Sequence, residues 1–249
     1  MNPLHKVFTI LETVVTGQAK GVTYSEIVTK QNLAKSTVHR ILKDLTELGY
    51  LNFNPETKRY FGSLRLASLG AEVMSSFALR DHVRPHLIHL HQDTGHTVNL
   101  AVLDGKKGVF IDKIESRDFG IKLISEIGKT FPLHCTGLGK VLLAYAPDGL
   151  LKELAKSPLE RMTKNTITDF RTLKKELASI RNQGYGLDNQ EVTRGIMCVG
   201  APVFGFNDDL AGAISITFPA YLDEDRGIEK ELAAIKKYSA LISTTLGFK

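Results

Sequence analysis

One segment, residues 23–60, constrains the fold most, because it combines two helices, a short turn and a hairpin in a fixed order. From Lys35 onward, apolar side chains recur at intervals of three and four, the period of a helix with one buried face. These side chains are Val38, Ile41, Leu42, Leu45 and Leu48. The opposite face is basic and rich in hydroxyl groups, and it carries Lys35, Ser36, Thr37, His39, Arg40 and Lys43. The sequence therefore predicts an amphipathic helix with a cationic polar face.

A shorter helix is predicted immediately upstream. The run Thr23-Tyr24-Ser25-Glu26 fits a capping box, in which Thr23 accepts a bond from the third backbone N–H and Glu26 reaches back. This helix runs to about Gln31, and residues 32–34 connect it to the helix at Lys35. The spacing is typical of a helix-turn-helix, whose second helix enters the major groove of DNA.

A two-stranded hairpin is predicted after the second helix. Gly49 is well placed to end that helix, and the two strands flank a turn at residues 54–57. Lys58 and Arg59 lie on this hairpin, where positive charge binds the phosphate backbone without reading the base sequence. A helix with one apolar and one charged face is by itself an ordinary surface helix. The order of all these elements favours a winged helix-turn-helix that binds double-stranded DNA.

A further helix is predicted at the start of the chain, ending near Gly17. Its apolar positions are Leu4, Val7, Phe8, Leu11 and Val14. Residues 1–62 hold eight Lys or Arg and five Asp or Glu, a net charge of 8 − 5 = +3. This is more than half of the formal net charge of +5 of the whole chain. This distribution, with a pI of about 9.1, suits an anionic partner. We predict that residues 1–62 form a DNA-binding domain.

Length and composition favour a second domain. The chain has 249 residues, 43% of them hydrophobic, enough to bury two cores. It contains two cysteines and no apolar run near the ~20 residues of a membrane span. No signal peptide precedes the first predicted helix. We therefore expect a cytoplasmic protein with no membrane partner.

The rest of the chain changes from helical to strand periodicity and back. Residues 63–78 are predicted as a linker helix, with Leu66, Leu69, Val73 and Phe77 on one side. A second helix, 79–93, contains Pro85, which should kink or restart it. Strands are predicted at 97–103, 109–114, 120–124, 197–204 and 210–218, and helices at 137–145, 148–156, 169–182 and from about 223. This order predicts an α+β domain over residues 79–249 and not a doubly wound sheet.

Several motifs in the chain resemble the IclR family of bacterial transcriptional regulators. They are residues 35–42 (KSTVHRIL), 131–140 (FPLHCTGLGK), 166–169 (TITD), 181–191 (RNQGYGLDNQE) and 195–203 (GIMCVGAPV). The resemblance covers essentially the whole chain in the family's order. It implies a winged helix-turn-helix domain, a linker helix used in dimerisation, and a GAF-like effector-binding domain with an antiparallel sheet. Such proteins are homodimers or dimers of dimers on operator DNA and act as repressors or activators.

The resemblance also implies a set of effector-binding residues. The backbone amides are those of Gly137 and Leu138, and the side chains are Asp188, Cys198, Ser215 and Thr217. Serine is common in the family where Thr217 stands, and threonine keeps the hydroxyl.

Most groups of this set suit a carboxylate ligand, and Asp188 is the exception. A helix that begins at Gly137 offers free N–H groups and a positive dipole end, which favour a carboxylate. Ser215 and Thr217, two apart on a strand, face the same side. An ionised Asp188 repels an acidic effector, unless it accepts a hydrogen bond from a hydroxyl group or a hydrate of the effector, or shares a bridging cation with it. We therefore expect a small oxo- or hydroxy-carboxylate.

Nucleotide and metal sites are weaker interpretations. Residues 137–140 (GLGK) lack the earlier glycine and the following Ser or Thr of a phosphate loop. His82, His86 and His89 include a spacing that could bind zinc, yet solvated histidines on a helix are commoner. A metal in the effector site would use Asp188, Cys198 and either Cys135 or His134, although buried structural cysteine is the default. We therefore predict no cofactor and no resident metal.

An enzyme is the rival from another functional class. Cys198 or Cys135 would be the nucleophile and His134 the base of a small-molecule hydrolase. Side chains adjacent in sequence seldom converge, no third orienting group is evident, and the DNA-binding half would be left without a role. We therefore interpret the chain as a non-enzymatic regulator whose effector shifts the spacing of two recognition helices on a pseudo-palindromic operator.

Overall fold

The computed structural model describes residues 2–75, 78–116, 125–147, 149–206 and 208–248. The chain divides into two compact units, Met1–Ser76 and Phe77–Lys249. The three-part division expected from the sequence, with a separate linker at 63–78, stays a prediction. Within the described ranges, none of the helices has the length and apolar character needed to cross a membrane.

The first unit is a winged helix-turn-helix, as predicted. Its helices are α1 Pro3–Thr16, α2 Tyr24–Gln31, α3 Lys35–Glu47 and α4 Leu64–Ser75, and its strands are β1 Val22–Thr23, β2 Leu51–Asn54 and β3 Arg59–Gly62. The strands form one antiparallel sheet in the order β1-β3-β2. Strand β1 was not predicted, because a strand of two residues is too short to show a periodicity.

The predicted ends of the helix-turn-helix are confirmed by their hydrogen bonds. Both halves of the capping box form, with the Glu26 N–H donating to Thr23 Oγ1 and the Thr23 N–H donating to Glu26 Oε2. After α3, Gly49 adopts a φ of +76°, and the Tyr50 N–H donates to the Leu45 carbonyl at 2.9 Å. This left-handed closure needs glycine and ends the helix where the chain turns into the wing.

The apolar stripe of α3 forms the centre of the first core, with one exception. Val38, Ile41, Leu42 and Leu45 are buried together with residues of α1, α2 and β2. The prediction for Leu48 is wrong, since its side chain is 58% exposed. Leu48 is the C-cap residue of α3, where the chain leaves the helix. Its side chain therefore does not lie on the buried face with the other four.

A helix, α4, is present in the region predicted as a linker. Leu66 of its predicted apolar side is half-buried, whereas other apolar side chains of α4 are exposed. Leu64, Leu69 and Val73 are all exposed, and Phe77 lies outside the described residues. On α1, Leu4 and Phe8 are likewise exposed, although they belong to the predicted apolar stripe. Apolar side chains on α1 and α4 are therefore not absorbed by the first core.

The second unit is α+β, as predicted, and contains one antiparallel sheet. Its helices are α5 Ala78–Thr94, α6 Gly137–Tyr145, α7 Gly149–Leu154, α8 Phe170–Gln183, α9 Tyr221–Arg226 and α10 Glu229–Thr245. Its strands are β4 Thr97–Asp104, β5 Lys107–Ile114, β6 Thr130–Phe131, β7 Gly186–Asn189, β8 Ile196–Phe204 and β9 Leu210–Pro219. They pair antiparallel in the order β6-β5-β4-β9-β8-β7.

Several predicted elements of this unit differ from the structure. The helix expected from about residue 223 is divided, because Gly227 has a φ of +71° and α10 begins only at Glu229. Pro85 does not restart its helix, since α5 is continuous and Pro85 lies on its exposed side. The short strands β6 and β7 were not predicted. The strand expected at 120–124 lies outside the described residues.

Helices cover the centre of the sheet. Both α6 and α10 contact β8, and β8 is buried along nearly its whole length, which requires cover on both faces. The core around α6 contains side chains from α8, β4 and β9, including Leu142, Leu173 and Ala213. These contacts fix the first turn of α6 against the sheet.

Truncating single leucine side chains on α3 should lower stability at a buried position and leave it nearly unchanged at an exposed one. Leu42→Ala, at a fully buried position, should lower the free energy of unfolding by about 2–5 kcal/mol. The matched control Leu48→Ala, at an exposed position, should stay within about 0.5 kcal/mol of wild type. Urea unfolding of the full-length protein measures both values. Equal losses in the two variants would contradict this account of the α3 core.

Candidate functional site

The polar face of α3 is open, as a DNA-reading surface requires. Lys35, Ser36, His39, Arg40 and Lys43 are exposed, and Thr37 is half-buried beside the core. Lys43 Nζ lies 3.6 Å from Glu47 Oε1, and both side chains are largely exposed, so water screens this pair. The six predicted residues therefore share one surface.

Two side chains outside α3 hold the helix-turn-helix in shape. The Tyr24 hydroxyl donates to the Lys35 carbonyl at 2.8 Å and so ties the start of α2 to the first turn of α3. The Arg59 guanidinium donates to the Gly21 carbonyl at 2.8 Å and lies 3.5 Å from Glu26 Oε2. Arg59 thus joins the wing to α2. Lys58 is exposed in the turn that precedes β3.

The second unit contains a cavity of about 270 Å³. Five of the six effector residues implied by the family resemblance line it, namely Leu138, Asp188, Cys198, Ser215 and Thr217. Strand register explains their convergence, because Asp188 pairs with Cys198 and Cys198 pairs with Thr217 across three neighbouring strands. Side chains at paired positions stand on the same face of a sheet. The cavity therefore lies over this face, at the start of α6.

Gly137 is not among the residues that line the cavity. A Cβ on Gly137 would lie 2.8 Å from the Cys198 carbonyl oxygen, closer than carbon and oxygen approach. Gly200, on the same strand as Cys198, meets the Gly137 backbone equally closely. The two glycines allow α6 to touch β8 directly, and this contact sets where Leu138 enters the cavity.

The Cys198 thiol is the centre of the polar cluster. Burial and the nearby Asp188 raise its pKa to about 11, although hydrogen bonds from Thr217, Ser215 and the Leu138 N–H favour the thiolate. Cys135 has its pKa raised to about 12, first by burial and then by Asp188. Both thiols are therefore protonated at neutral pH and are poor nucleophiles. His134 Nε2 lies 2.9 Å from the Glu160 carbonyl oxygen.

Asp188 differs from an ordinary surface carboxylate. Burial raises its pKa to about 7, although the Glu191 N–H donates to its Oδ1 at 2.6 Å. Near neutral pH a substantial fraction of Asp188 is the neutral acid, which can donate a hydrogen bond. The repulsion that the sequence analysis expected between Asp188 and an acidic ligand is thereby reduced.

A buried ion cluster beside the cavity was missed by the sequence analysis. Lys140 is 1% exposed, and its Nζ lies 2.5 Å from Glu191 Oε1 and 3.2 Å from Glu176 Oε1. These pairs anchor the chain after β7 to α6 and α8. Lys140 belongs to a run that was considered as a family motif and as a phosphate loop, but not as an ion pair. A charged residue on an otherwise apolar helix was the available signal.

The remaining cavity residues also went unpredicted. They are Asn99, Phe110, Ser125, Lys129, Thr130, Phe131, Pro132, Thr136, Met162, Val192, Thr193 and Ile196. Asn99 carried a readable signal, because it is a polar residue inside the mainly apolar strand β4. Most of the others follow from tertiary packing alone.

Within the described part of the chain, no cluster of three or more His, Cys, Asp or Glu side chains is suited to a metal ion. Two of the three histidines considered for zinc, His82 and His86, contact other groups. His82 Nδ1 lies 2.7 Å from the Ala78 carbonyl oxygen, and His86 Nε2 lies 3.3 Å from the Thr245 hydroxyl. The geometry therefore gives the zinc interpretations no support.

Adding one methyl group should test the helix-to-strand contact. Gly137→Ala should cost about 1–3 kcal/mol of stability, because the new Cβ meets backbone that cannot yield easily. Gly149→Ala, at the start of α7, is the control, since a Cβ there meets nothing within 4 Å. Thermal unfolding of both variants measures the difference. A Gly137→Ala protein as stable as the control would show that α6 does not need this close approach.

The Asp188 pKa predicts a pH-dependent stability difference. The folded protein holds this proton more tightly than the unfolded chain, so wild type loses stability as pH rises from the ordinary value of 3.8 to about 7. Asp188→Asn lacks this loss. Its stability relative to wild type should therefore increase between pH 5 and pH 8, as measured by urea unfolding. A difference that is the same at both pH values would refute a raised pKa.

Comparisons with known proteins agree for both units. The family model described as "IclR helix-turn-helix domain" matches residues 3–55, and "Bacterial transcriptional regulator IclR C-terminal" matches residues 71–244. The regulator XynR of Escherichia coli K12 is 32% identical, over 93% of this chain and 92% of that protein. The regulator KdgR of the same organism is 31% identical, over 98% of this chain and 92% of that protein.

Solved structures show the same architecture. The crystal structure of Thermotoga maritima IclR is 37% identical and covers 98% of each chain with a TM-score of 0.75. An IclR homologue from Microbacterium hydrocarbonoxydans, solved with 4-hydroxybenzoate, is 22% identical, with a TM-score of 0.82 over 98% of this chain and 99% of that chain. This chain belongs to the IclR family of bacterial transcriptional regulators.

Proposed function

We propose that this protein binds operator DNA as a homodimer or a dimer of dimers and releases or rearranges it when a small carboxylate enters the α6 cavity. The single observation that supports this most is the convergence of Leu138, Asp188, Cys198, Ser215 and Thr217 on one cavity. The effector is a small oxo- or hydroxy-acid of a catabolic pathway that the protein regulates. The family places the protein among transcriptional regulators, and the effector class is our proposal.

The DNA contacts are proposed for the open face of α3 and for the wing. Arg40 and Lys43 project from an exposed helical surface, as groove contacts require. Lys35, Ser36, Thr37 and His39 complete that surface. Lys58 is suited to contact a phosphate. Arg59 Nη1 already contacts the Gly21 carbonyl and Glu26, so we propose that Arg59 mainly positions the wing.

The polar groups of the cavity suit a carboxylate. The Leu138 N–H belongs to the first turn of α6, where backbone donors and the helix dipole favour an anion. Ser215 and Thr217 supply hydroxyl donors, and partly protonated Asp188 supplies another. Lys129 also lines the cavity, and its ammonium is paired with Glu126 Oε2 at 2.8 Å. A family member of the same fold was solved with 4-hydroxybenzoate, which is a hydroxylated carboxylate.

Self-association is proposed from the exposed apolar side chains of the first unit. Leu4 and Phe8 of α1, and Leu64 and Leu69 of α4, are each close to half exposed or more. Exposed apolar side chains on these two helices would be buried against a second copy of the chain. A dimer would present two α3 helices and so read a pseudo-palindromic operator.

The hydrolase alternative has no support from the site. Neither Cys135 nor Cys198 has the lowered pKa of a thiol nucleophile. His134 faces the Glu160 carbonyl. The curated relatives named above are transcriptional regulators.

Two variants should separate DNA binding from effector response. Arg40→Ala should weaken binding to the DNA upstream of the protein's own gene by about tenfold or more, because it removes a groove contact. Ser215→Ala should bind that DNA as wild type does but respond less to an acid that releases it. Fluorescence anisotropy of labelled DNA, with a panel of oxo- and hydroxy-acids including 4-hydroxybenzoate, measures both.

Arg171→Ala is the matched control for charge, since Arg171 is an exposed arginine on α8 of the second unit. It should leave DNA affinity within about twofold of wild type. Unchanged affinity in Arg40→Ala together with an unchanged response in Ser215→Ala would contradict both proposed sites.

A further inference from the structure

Three carboxyl groups lie near one ammonium group beside the cavity. Lys140 is 1% exposed, and its Nζ lies 2.5 Å from Glu191 Oε1 and 3.2 Å from Glu176 Oε1. Asp188 is 5% exposed, and its Oδ1 accepts a hydrogen bond from the Glu191 backbone N–H at 2.6 Å. If all three acids were ionised, this buried group would carry more negative than positive charge.

Asp188 is the acid of this group that lines the cavity and lacks a counterion. Lys140 pairs with the two glutamates, and no salt bridge to Asp188 is formed among the described residues. Its partner across the sheet is Cys198, whose thiol is neutral because burial raises its pKa to about 11. Cys135, just before α6, is neutral for the same reason, with a pKa of about 12. A buried carboxyl group in these surroundings favours its neutral form.

A bound carboxylate adds another negative charge to the same cavity. The donors proposed for it, on Leu138, Ser215 and Thr217, line the cavity together with Asp188. Lys129 also lines the cavity, but its ammonium is paired with Glu126. Two carboxyl groups that share a buried site do not both stay ionised, because their mutual repulsion is not screened by water. One proton shared between them removes that repulsion and forms a hydrogen bond.

We propose that the effector binds together with one proton, which Asp188 holds and donates to the effector's carboxylate. This inference rests on the effector site proposed above and adds a regulatory property to it. The proton comes from the solvent, since Asp188, with a pKa of about 7, is mostly ionised at higher pH in the free protein. A given acid should therefore release DNA at lower concentrations as the pH falls.

The dependence of acid affinity on pH tests this directly. Isothermal titration of the full-length protein would use pyruvate, lactate and 4-hydroxybenzoate between pH 6 and pH 8, where their carboxyl groups are ionised. For an acid that binds, the Kd should rise about tenfold across this range, because the neutral fraction of Asp188 falls about tenfold. Titrations at pH 8 in HEPES and in Tris, which differ in ionisation enthalpy, should show uptake of about one proton per site.

Two substitutions identify the group that takes up the proton. Asp188→Asn keeps an acceptor for the Glu191 N–H and supplies an NH2 donor that does not titrate. Its Kd for the same acid should change by no more than about twofold between pH 6 and pH 8. Asp104→Asn makes the same exchange at an exposed position at the end of β4 and should keep the wild-type dependence on pH. Melting temperatures at both pH values establish that each variant is folded.

The remaining outcomes separate this inference from the effector site itself. A wild-type Kd that is equal at pH 6 and pH 8, without proton uptake, overturns the proton linkage and leaves the effector site standing. A wild-type dependence on pH in Asp188→Asn overturns the assignment to Asp188, as does a folded Asp188→Asn protein that binds none of the acids. If no acid binds wild type or releases its DNA at any pH, the effector site fails and the proton linkage fails with it.

Discussion

Direct contact between the first turn of α6 and β8 is the constraint on which the effector unit depends. Gly137 and Gly200 meet with no room for a side chain on either. That approach carries the Leu138 N–H to the Cys198 thiol, and the strand register then adds Asp188 and Thr217. A close-packed glycine pair therefore produces a polar pocket, even though Gly137 itself does not line it.

Burial and neighbouring charges set the protonation of Asp188 in this pocket. Lys140 is enclosed with Glu191 and Glu176, and the Glu191 backbone in turn donates to Asp188. Burial outweighs these favourable contacts and keeps Asp188 partly protonated near neutral pH. The site can thus offer donors from Asp188, Ser215 and the helix start to one carboxylate.

Local signals in the sequence predicted the ends of several helices, but they did not identify all the residues in and beside the pocket. Thr23 marks a helix start through its side chain and Gly49 a helix end through its backbone freedom, so those boundaries were predicted correctly. Leu48 was misplaced, because exposure at a helix end depends on where the chain goes next. Asn99 and Lys140 were missed as site residues, because strand order and helix packing bring them to the cavity. Family resemblance supplied the effector residues, which no spacing rule gives.

The central claim is that an acid held between α6 and β8 controls release of DNA. Hydrogen exchange of the full-length, DNA-bound protein, measured with and without an acid that releases the DNA, tests it most directly. The account predicts slower exchange of the Leu138 amide and of β8 amides at acid concentrations that release DNA. Release of the DNA with unchanged exchange in these two elements would contradict it.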